Sequence, residues 1–214
     1  MKWVIGGLIV AGGLFLAGLS AQPASAGILN FNLGSCAQVT EPCTLNTDTG
    51  LSVLDFVNGP FDLRTSGAIG ASPANLFVKN TGVGDVGLGL FLGPQNEIGP
   101  GETVTLDLSK LAAAGFSSGT VTIESLDTGE IGVVTDAVGP HIVTEVGSSL
   151  TNEVPVSFSV VAPDVEISAI NGSVLAAADL EVSVPEAPTG VLLVTGLLGL
   201  SLVGVLRRFA ARTA

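Results

Sequence analysis

Short apolar runs recur along the chain between Gly27 and Val184, and they constrain the fold more than any other feature. In Glu102–Leu108 apolar and polar residues alternate, which is typical of a strand with one buried face. Turn-forming Gly, Asn, Asp and Pro separate the runs. Ten runs are predicted to be strands: Leu51–Val57, Ala74–Asn80, Val86–Leu92, Glu102–Leu108, Gly119–Glu124, Glu130–Thr135, His141–Val146, Val154–Val161, Asp164–Ile170 and Leu180–Val184. This spacing predicts an all-β body, a two-sheet sandwich with a jelly-roll-like arrangement.

One short helix is predicted inside this body, directly after the run that ends at Leu108. Ser109 is expected to cap the helix, because its hydroxyl can accept a bond from a free backbone N–H. Lys110–Ala114 are expected to form it, and Gly115 to end it.

The N-terminus has the three parts of a secretory signal peptide. A short positive region, Met1–Trp3, precedes the apolar stretch Val4–Leu19. The small residues Ala24 and Ala26 then form an Ala-x-Ala cleavage pattern before Gly27. We expect cleavage after Ala26, so that residues 1–26 are a signal helix and the exported domain covers residues 27–183.

Two cysteines stand near the expected mature N-terminus, at Cys36 and Cys43. Export makes a disulfide possible, whereas a metal site needs more ligands than two cysteines and no histidine lies nearby. We therefore predict a structural disulfide. Closing a loop of about eight residues stabilises a fold by roughly 2.5 kcal/mol on the chain-entropy model.

The C-terminus, residues 184–214, also has three parts. A short polar stretch is followed by an uncharged run from Gly190 to Leu206 and then by Arg207, Arg208 and Arg212. The uncharged run is just long enough for a membrane-spanning helix, expected at about residues 190–206. The arginine cluster, residues 207–212, predicts that the C-terminus stays in the cytoplasm and that the body faces outward.

This tail resembles the PEP-CTERM sorting signal. The resemblance rests on Val184, Pro185, Glu186 and the late Pro188, on the apolar span and on the terminal arginines; Ala187 departs from the motif. It implies processing by an exosortase, a membrane cysteine protease, in Gram-negative bacteria that make exopolysaccharide and biofilm. The body also resembles, in composition, the exported β-sandwiches that often carry such tails. The alternative is an ordinary C-terminal membrane anchor.

Charge is distributed unevenly. All 19 acidic residues lie between Glu41 and Glu186, where the basic residues are Arg64, Lys79 and Lys110. Such a surface repels nucleic acid and anionic lipid, so we expect no nucleic-acid partner.

Five oxygen-bearing side chains lie around the predicted strand Val86–Leu92 and suit Ca²⁺, which jelly rolls often hold in a loop. They are Asn80, Asp85, Asn96, Glu97 and Glu102. The alternative is turn chemistry, in which Asn and Asp shape the backbone.

Gly115–Gly119 matches the G-x-S-x-G pattern of hydrolases, with Ser117 as the nucleophile and Asp127 or Asp136 and then His141 following. That motif requires a strand before it and a helix after it. Here a helix is predicted before it and a strand after it, which favours a simple turn.

Together these features predict a non-catalytic exported protein of the envelope or extracellular matrix, with a structural or adhesive role linked to exopolysaccharide. Its partners would be signal peptidase, an exosortase, the inner membrane and exopolysaccharide. It would face the periplasm and then reach the cell surface or matrix. A permanently anchored carbohydrate- or Ca²⁺-binding module is the alternative, although the body has neither Trp nor Tyr for sugar rings. A secreted hydrolase is a third hypothesis.

Overall fold

The computed structural model describes residues 28–81, 85–144, 153–160 and 164–183, without the side chains of residues 94 and 176–179. All of these residues belong to the compact unit Gly27–Pro185. The predicted signal helix, residues 1–26, and the predicted tail, residues 184–214, lie outside the described residues.

The prediction of an all-β body is confirmed. The described residues form thirteen strands: β1 Ile28–Asn32, β2 Val53–Asn58, β3 Phe61–Ile69, β4 Ser72–Pro73, β5 Leu76–Asn80, β6 Val86–Leu90, β7 Glu102–Asp107, β8 Ser118–Glu124, β9 Ile131–Thr135, β10 Pro140–Thr144, β11 Val154–Ser159, β12 Asp164–Asn171 and β13 Leu175–Ser183. A single α-helix, α1 Ser109–Ala113, accompanies them in this part of the chain.

The strands pair in two sheets. The first has the order β11-β8-β13-β6-β5, with β1 also on β13; the second has the order β10-β9-β12-β7-β3-β2, with β4 also on β3. Neighbouring strands are antiparallel throughout both sheets. Eight strands form nested pairs, β9 with β10, β8 with β11, β7 with β12 and β6 with β13. The chain from β6 to β13 is therefore one long hairpin whose successive pairs alternate between the two sheets.

Both sheets turn an apolar face towards one shared core. Leu88 and Val121 of the first sheet and Leu106 and Ile167 of the second are all fully buried and belong to the same cluster. Alternation produces this arrangement, because β7 buries every second residue and leaves the ones between partly exposed. Burying one such side chain stabilises the fold by about 1.5–3 kcal/mol. The body is therefore sandwich-like.

The predicted disulfide is confirmed, with the Cα atoms of Cys36 and Cys43 5.5 Å apart. It lies in the segment that leads from β1 to β2. This segment covers one edge of each sheet, β5 in the first and β2 in the second. Val39 pairs with Phe56 of β2, and Asp48 pairs with Phe77 of β5. Exposed strand edges invite pairing with other chains, so this segment protects the fold against aggregation.

Replacing both cysteines by serine is expected to lower the free energy of unfolding by about 2.5 kcal/mol, because the unfolded chain regains the freedom of the loop. Urea unfolding of the oxidised protein and of the double variant measures this difference. Treating the wild type with a reductant should give the same loss. A wild type whose stability is unchanged by reduction would contradict the expectation.

The opposite edges, β10 and β11, are protected in another way. Each carries a proline in its first two positions, Pro140 and Pro155, and proline has no N–H to offer an incoming strand. An open groove of about 310 Å³ runs between the two strands. Its lining residues belong to these strands and include no aromatic ring apart from that of His141.

The predicted helix exists, but its start and its cap were wrong. Ser109 is the first helical residue, and Leu108 holds the cap position without a side-chain bond. The carboxylate of Asp107 instead accepts a hydrogen bond from the N–H of Ser109 at 2.9 Å. Gly115 follows the helix with φ 93°, the left-handed conformation expected of a residue that ends a helix.

Candidate functional site

A buried lysine is the centre of a cluster of polar side chains. Lys79 lies on β5, where four successive residues, from Leu76 to Lys79, are buried. It stands opposite Gly87 on β6, so the two strands form a hairpin around it. Only 10% of its side chain is exposed. A lysine this deep requires partners of opposite charge.

Glu97 approaches Lys79 from the connection between β6 and β7. The N–H of Ile98 donates to the carbonyl of Val174, and Val174 donates back to Ile98, at 2.8 and 3.0 Å. Just before it, Gln95 and Asn96 have φ of 54° and 61°, which side-chain-bearing residues rarely adopt. The strained backbone is held by the Ile98–Val174 pair, and together they place a carboxylate inside the sandwich.

The Glu97 carboxylate contacts three side chains, and one of these, Lys79, also contacts Asp85. The Nζ atom of Lys79 lies 2.6 Å from Oε1 of Glu97 and 2.7 Å from Oδ1 of Asp85. The hydroxyl of Ser125 donates to Oε1 of Glu97 at 2.9 Å, and that of Ser173 donates to Oε2 at 2.6 Å. We call these five residues the Lys79 cluster.

Lys79 keeps its charge although it is buried. Burial opposes the positive charge of Lys79, but its contacts with the carboxylates of Asp85 and Glu97 outweigh it and raise the pKa of Lys79 above its usual value. Only 3% of the Glu97 side chain is exposed, against 32% for Asp85. Buried charges of this kind cost several kcal/mol to desolvate unless each one is paired. The pairing explains how the cluster is tolerated.

The two oxygens of Asp85 have different surroundings. Oδ2 accepts a hydrogen bond from the hydroxyl of Thr81. Oδ1 is buried and lies within ion-pair distance of Lys79, yet it accepts no hydrogen bond within the described residues. The ammonium therefore touches this oxygen without the alignment of a hydrogen bond. Buried oxygens without one are uncommon in native proteins.

The structure separates the five residues predicted to bind Ca²⁺. Asp85 and Glu97 join Lys79, whereas Glu102 accepts the N–H of Gly99 at 2.7 Å. The backbone of Asn80 exchanges two bonds of 2.8 Å with the side chain of Asn46, and its own side-chain amide donates to the carbonyl of Gly34. In the described part of the chain, no group of three or more His, Cys, Asp or Glu side chains is placed to hold a metal ion.

Asn96, the fifth predicted ligand, lies in the strained turn next to Glu97. The ammonium of Lys79 thus occupies the place between two carboxylates that a cation would take. Calcium binding stays a prediction, without a ligand shell among the described residues.

The elements on either side of the G-x-S-x-G pattern are those predicted for a simple turn and not those of a hydrolase. Ser117 stands between α1 and β8, so a helix precedes it and a strand follows. His141 opens β10 together with Pro140, and its Nε2 lies 3.2 Å from Oδ1 of Asp136. Asp136 itself accepts backbone N–H bonds from Val138 and Ser159.

The addressing residues fall outside the described residues. These are Ala24, Ala26 and Gly27 of the signal, Val184, Pro185, Glu186 and Pro188 of the sorting motif, and the arginines at 207, 208 and 212. Within the described ranges, no helix has the length and apolar character needed to cross a membrane.

Three members of the cluster, Lys79, Ser125 and Ser173, were not predicted from the sequence. One signal was available, because Lys79 interrupts the apolar run Leu76–Val78 and is one of very few cations in the body. The two serines lie in turns far along the chain and carry no pattern of their own. Comparisons with protein-family models, with curated proteins and with solved structures found no match to this chain.

Proposed function

We propose that this chain is a non-catalytic exported protein of the bacterial envelope or extracellular matrix, with a structural or adhesive role. A tail of the PEP-CTERM type would hold it in the inner membrane until an exosortase removes the tail. The observation that carries the proposal is the order of segments: a signal peptide, an acidic β body, a Pro-Glu motif, an apolar span and an arginine cluster. This order resembles that of exosortase substrates.

The body supports a structural role because several of its carboxylates hold backbone segments together. Glu130 accepts the N–H groups of Asp127 and Ser173 and so ties two turns together. Glu124 accepts the N–H of Val86 at 3.0 Å. A carboxylate committed to backbone bonds in this way is held in place and is poorly suited to proton transfer. These contacts favour a rigid module over a hydrolase.

The strand order supports the finer description of the body as a jelly roll. The nested pairs from β6 to β13 alternate between the sheets, as in a long hairpin rolled over a core. Jelly rolls serve as rigid modules in capsids and lectins. With one pair of edges covered by the disulfide segment and the other carrying prolines, such a module suits the outside of a cell.

The sorting proposal is tested in the protein's own host with the variant Pro185→Ala/Glu186→Ala. We expect the wild-type body outside the inner membrane and the variant retained in it, because the exosortase would no longer recognise the tail. Cell fractionation with immunoblotting measures the distribution. The matched control is Thr189→Ala, which changes the same polar stretch and should behave as wild type.

The variant Ala187→Pro restores the full Pro-Glu-Pro motif and should be released at least as efficiently as the wild type. Retention of the wild type and all variants in the inner membrane would contradict sorting and favour a plain anchor. Release of all of them would show that the Pro-Glu motif is not recognised.

A further inference from the structure

We propose that Lys79 and Asp85 join in an intramolecular amide bond, an isopeptide cross-link, with Glu97 as the catalytic proton carrier. The three side chains are in contact: Nζ of Lys79 lies 2.7 Å from Oδ1 of Asp85 and 2.6 Å from Oε1 of Glu97. The amine nitrogen of Lys79 therefore contacts both the carboxyl group that it would attack and the carboxylate that would take its proton.

The hairpin holds the two reacting groups side by side. Lys79 is near the end of β5, and Asp85 directly precedes β6, with Asn80 paired to Val86 between them. The register fixes both Cα atoms at the same end of the hairpin. Holding two reactants in contact replaces an encounter in solution and lowers the barrier by several kcal/mol.

The two oxygens of the Asp85 carboxyl have different contacts, one with a hydroxyl and the other with the amine. Thr81 donates its hydroxyl hydrogen to Oδ2, which stabilises negative charge on that oxygen as the tetrahedral intermediate forms. Oδ1 lies beside Nζ without receiving a hydrogen bond. This oxygen is the one that leaves, since no hydrogen bond within the described residues holds it.

Glu97 is placed to move the protons. The hydroxyls of Ser125 and Ser173 fix its carboxylate, and its Oε1 contacts Nζ directly. Because the pKa of Lys79 is raised, the ammonium needs a base in contact before it can attack. Burial of Lys79 and Glu97 keeps bulk water away from the reacting amine, which favours condensation over hydrolysis.

The reaction balances without any other reactant. Glu97 takes one proton from the ammonium and passes it to Oδ1 of Asp85, which leaves a neutral amine beside a neutral carboxylic acid. The Nζ lone pair then attacks Cγ of Asp85 to form the C–N bond. Glu97 carries a second proton from Nζ to the Oδ1 hydroxyl, and the C–O bond breaks to release water. The ammonium and carboxylate have become an amide that keeps one N–H, and Glu97 has returned to its starting state.

The test uses the full chain exported to the periplasm, and it measures the intact mass and the tryptic map after reduction. We expect the wild type to be lighter than its processed sequence by one water molecule. Trypsin should fail to cut after Lys79, so that residues 65–110 appear as one peptide lacking one water. Lys110 is the internal control, because it pairs with Asp62 on the surface and should be cut normally.

Three variants separate the roles. Lys79→Arg and Asp85→Ala should both have the full mass, since each lacks one reacting group. Glu97→Gln keeps the size of the side chain but cannot take a proton, so it should have the full mass and be cut after Lys79. Thermal unfolding followed by circular dichroism establishes that each variant is folded.

A folded wild type with the full mass and normal cleavage after Lys79 would overturn the cross-link. Loss of water in Glu97→Gln as well would overturn the role of Glu97. If Glu97→Gln does not fold, Lys79→Arg and Asp85→Ala, compared with the wild type, still decide whether the bond forms. None of these results depends on whether the tail is sorted by an exosortase.

Discussion

Replacing Asp136 by alanine is expected to lower the free energy of unfolding by about 3 kcal/mol. Its carboxylate lies in the turn between β9 and β10 and accepts the N–H groups of Val138 and Gly139. It also accepts the N–H of Ser159 at the end of β11, at 2.9 Å, and so ties the second sheet to the first. Only 1% of the side chain is exposed, so water cannot easily replace these bonds.

The loss is measured by urea unfolding near neutral pH. Asp164→Ala is the matched control, because Asp164 is an exposed carboxylate at the start of β12 and should change the stability by less than about 0.5 kcal/mol. Equal stabilities of the Asp136→Ala variant and the wild type would contradict the role of Asp136 as the tie between the sheets.

Asp136 also makes the stability of the fold depend on pH, and the sign of this dependence follows from its pKa. Burial opposes its charge, but hydrogen bonds from Ser159, Val138, His141 and Gly139 outweigh it and lower the pKa of Asp136 to about 2. A pKa lowered on folding adds stability above the unfolded value of about 4. That stability is lost as the pH falls towards 2. The gap between the wild type and Asp136→Asn should therefore narrow between about pH 5 and pH 2.

Replacing Gly89 by alanine is expected to destabilise the fold by about 3 kcal/mol. A Cβ atom at Gly89 would lie 2.2 Å from the carbonyl oxygen of Asn96 and 2.9 Å from Cα of Glu97. Both are backbone atoms, so the whole turn has to move away from β6. The backbone of Gly89 is not left-handed, so the effect is one of space alone. Displacing Glu97 would also pull the carboxylate away from Lys79.

Gly132→Ala is the matched control. Gly132 is another buried strand glycine, but a Cβ atom there would first meet a side-chain methyl of Val174, at 3.3 Å. We expect a loss below about 1 kcal/mol for this variant, because a side chain can yield where backbone cannot. Thermal and urea unfolding of both variants provide the comparison. Equal losses would mean that the Asn96–Glu97 turn is not held against β6.

Alternation in the sequence predicted most strands because apolar residues fill their inward positions. It missed β3, Phe61–Ile69, where the buried positions are Leu63, Thr65 and Gly67. The hydroxyl of Thr65 bonds to the carbonyl of Leu54 at 3.1 Å, so a polar side chain is satisfied inside the core. Only tertiary contacts make these residues suitable for burial. The short strands β1 and β4 were missed as well, because only their pairing with β13 and β3 identifies them as strands.

The Lys79 cluster could be predicted only in part. Asp85 and Glu97 were singled out as oxygen ligands for a cation, and the structure brings both to one positive charge. That charge belongs to Lys79, and the supporting hydroxyls come from turns 28 and 76 residues away from Glu97. Sequence shows which residues carry charge, but the sheet register decides which of them meet.

Export and sorting of the chain depend on its two addressing segments, the signal peptide and the sorting tail. The most direct measurement is the intact mass of the protein isolated from its own host, with the two termini sequenced. We predict a chain that begins at Gly27 and lacks the apolar span and arginine cluster beyond Glu186. A chain that runs unprocessed from Met1 to Ala214 would contradict both export by this signal and removal of this tail.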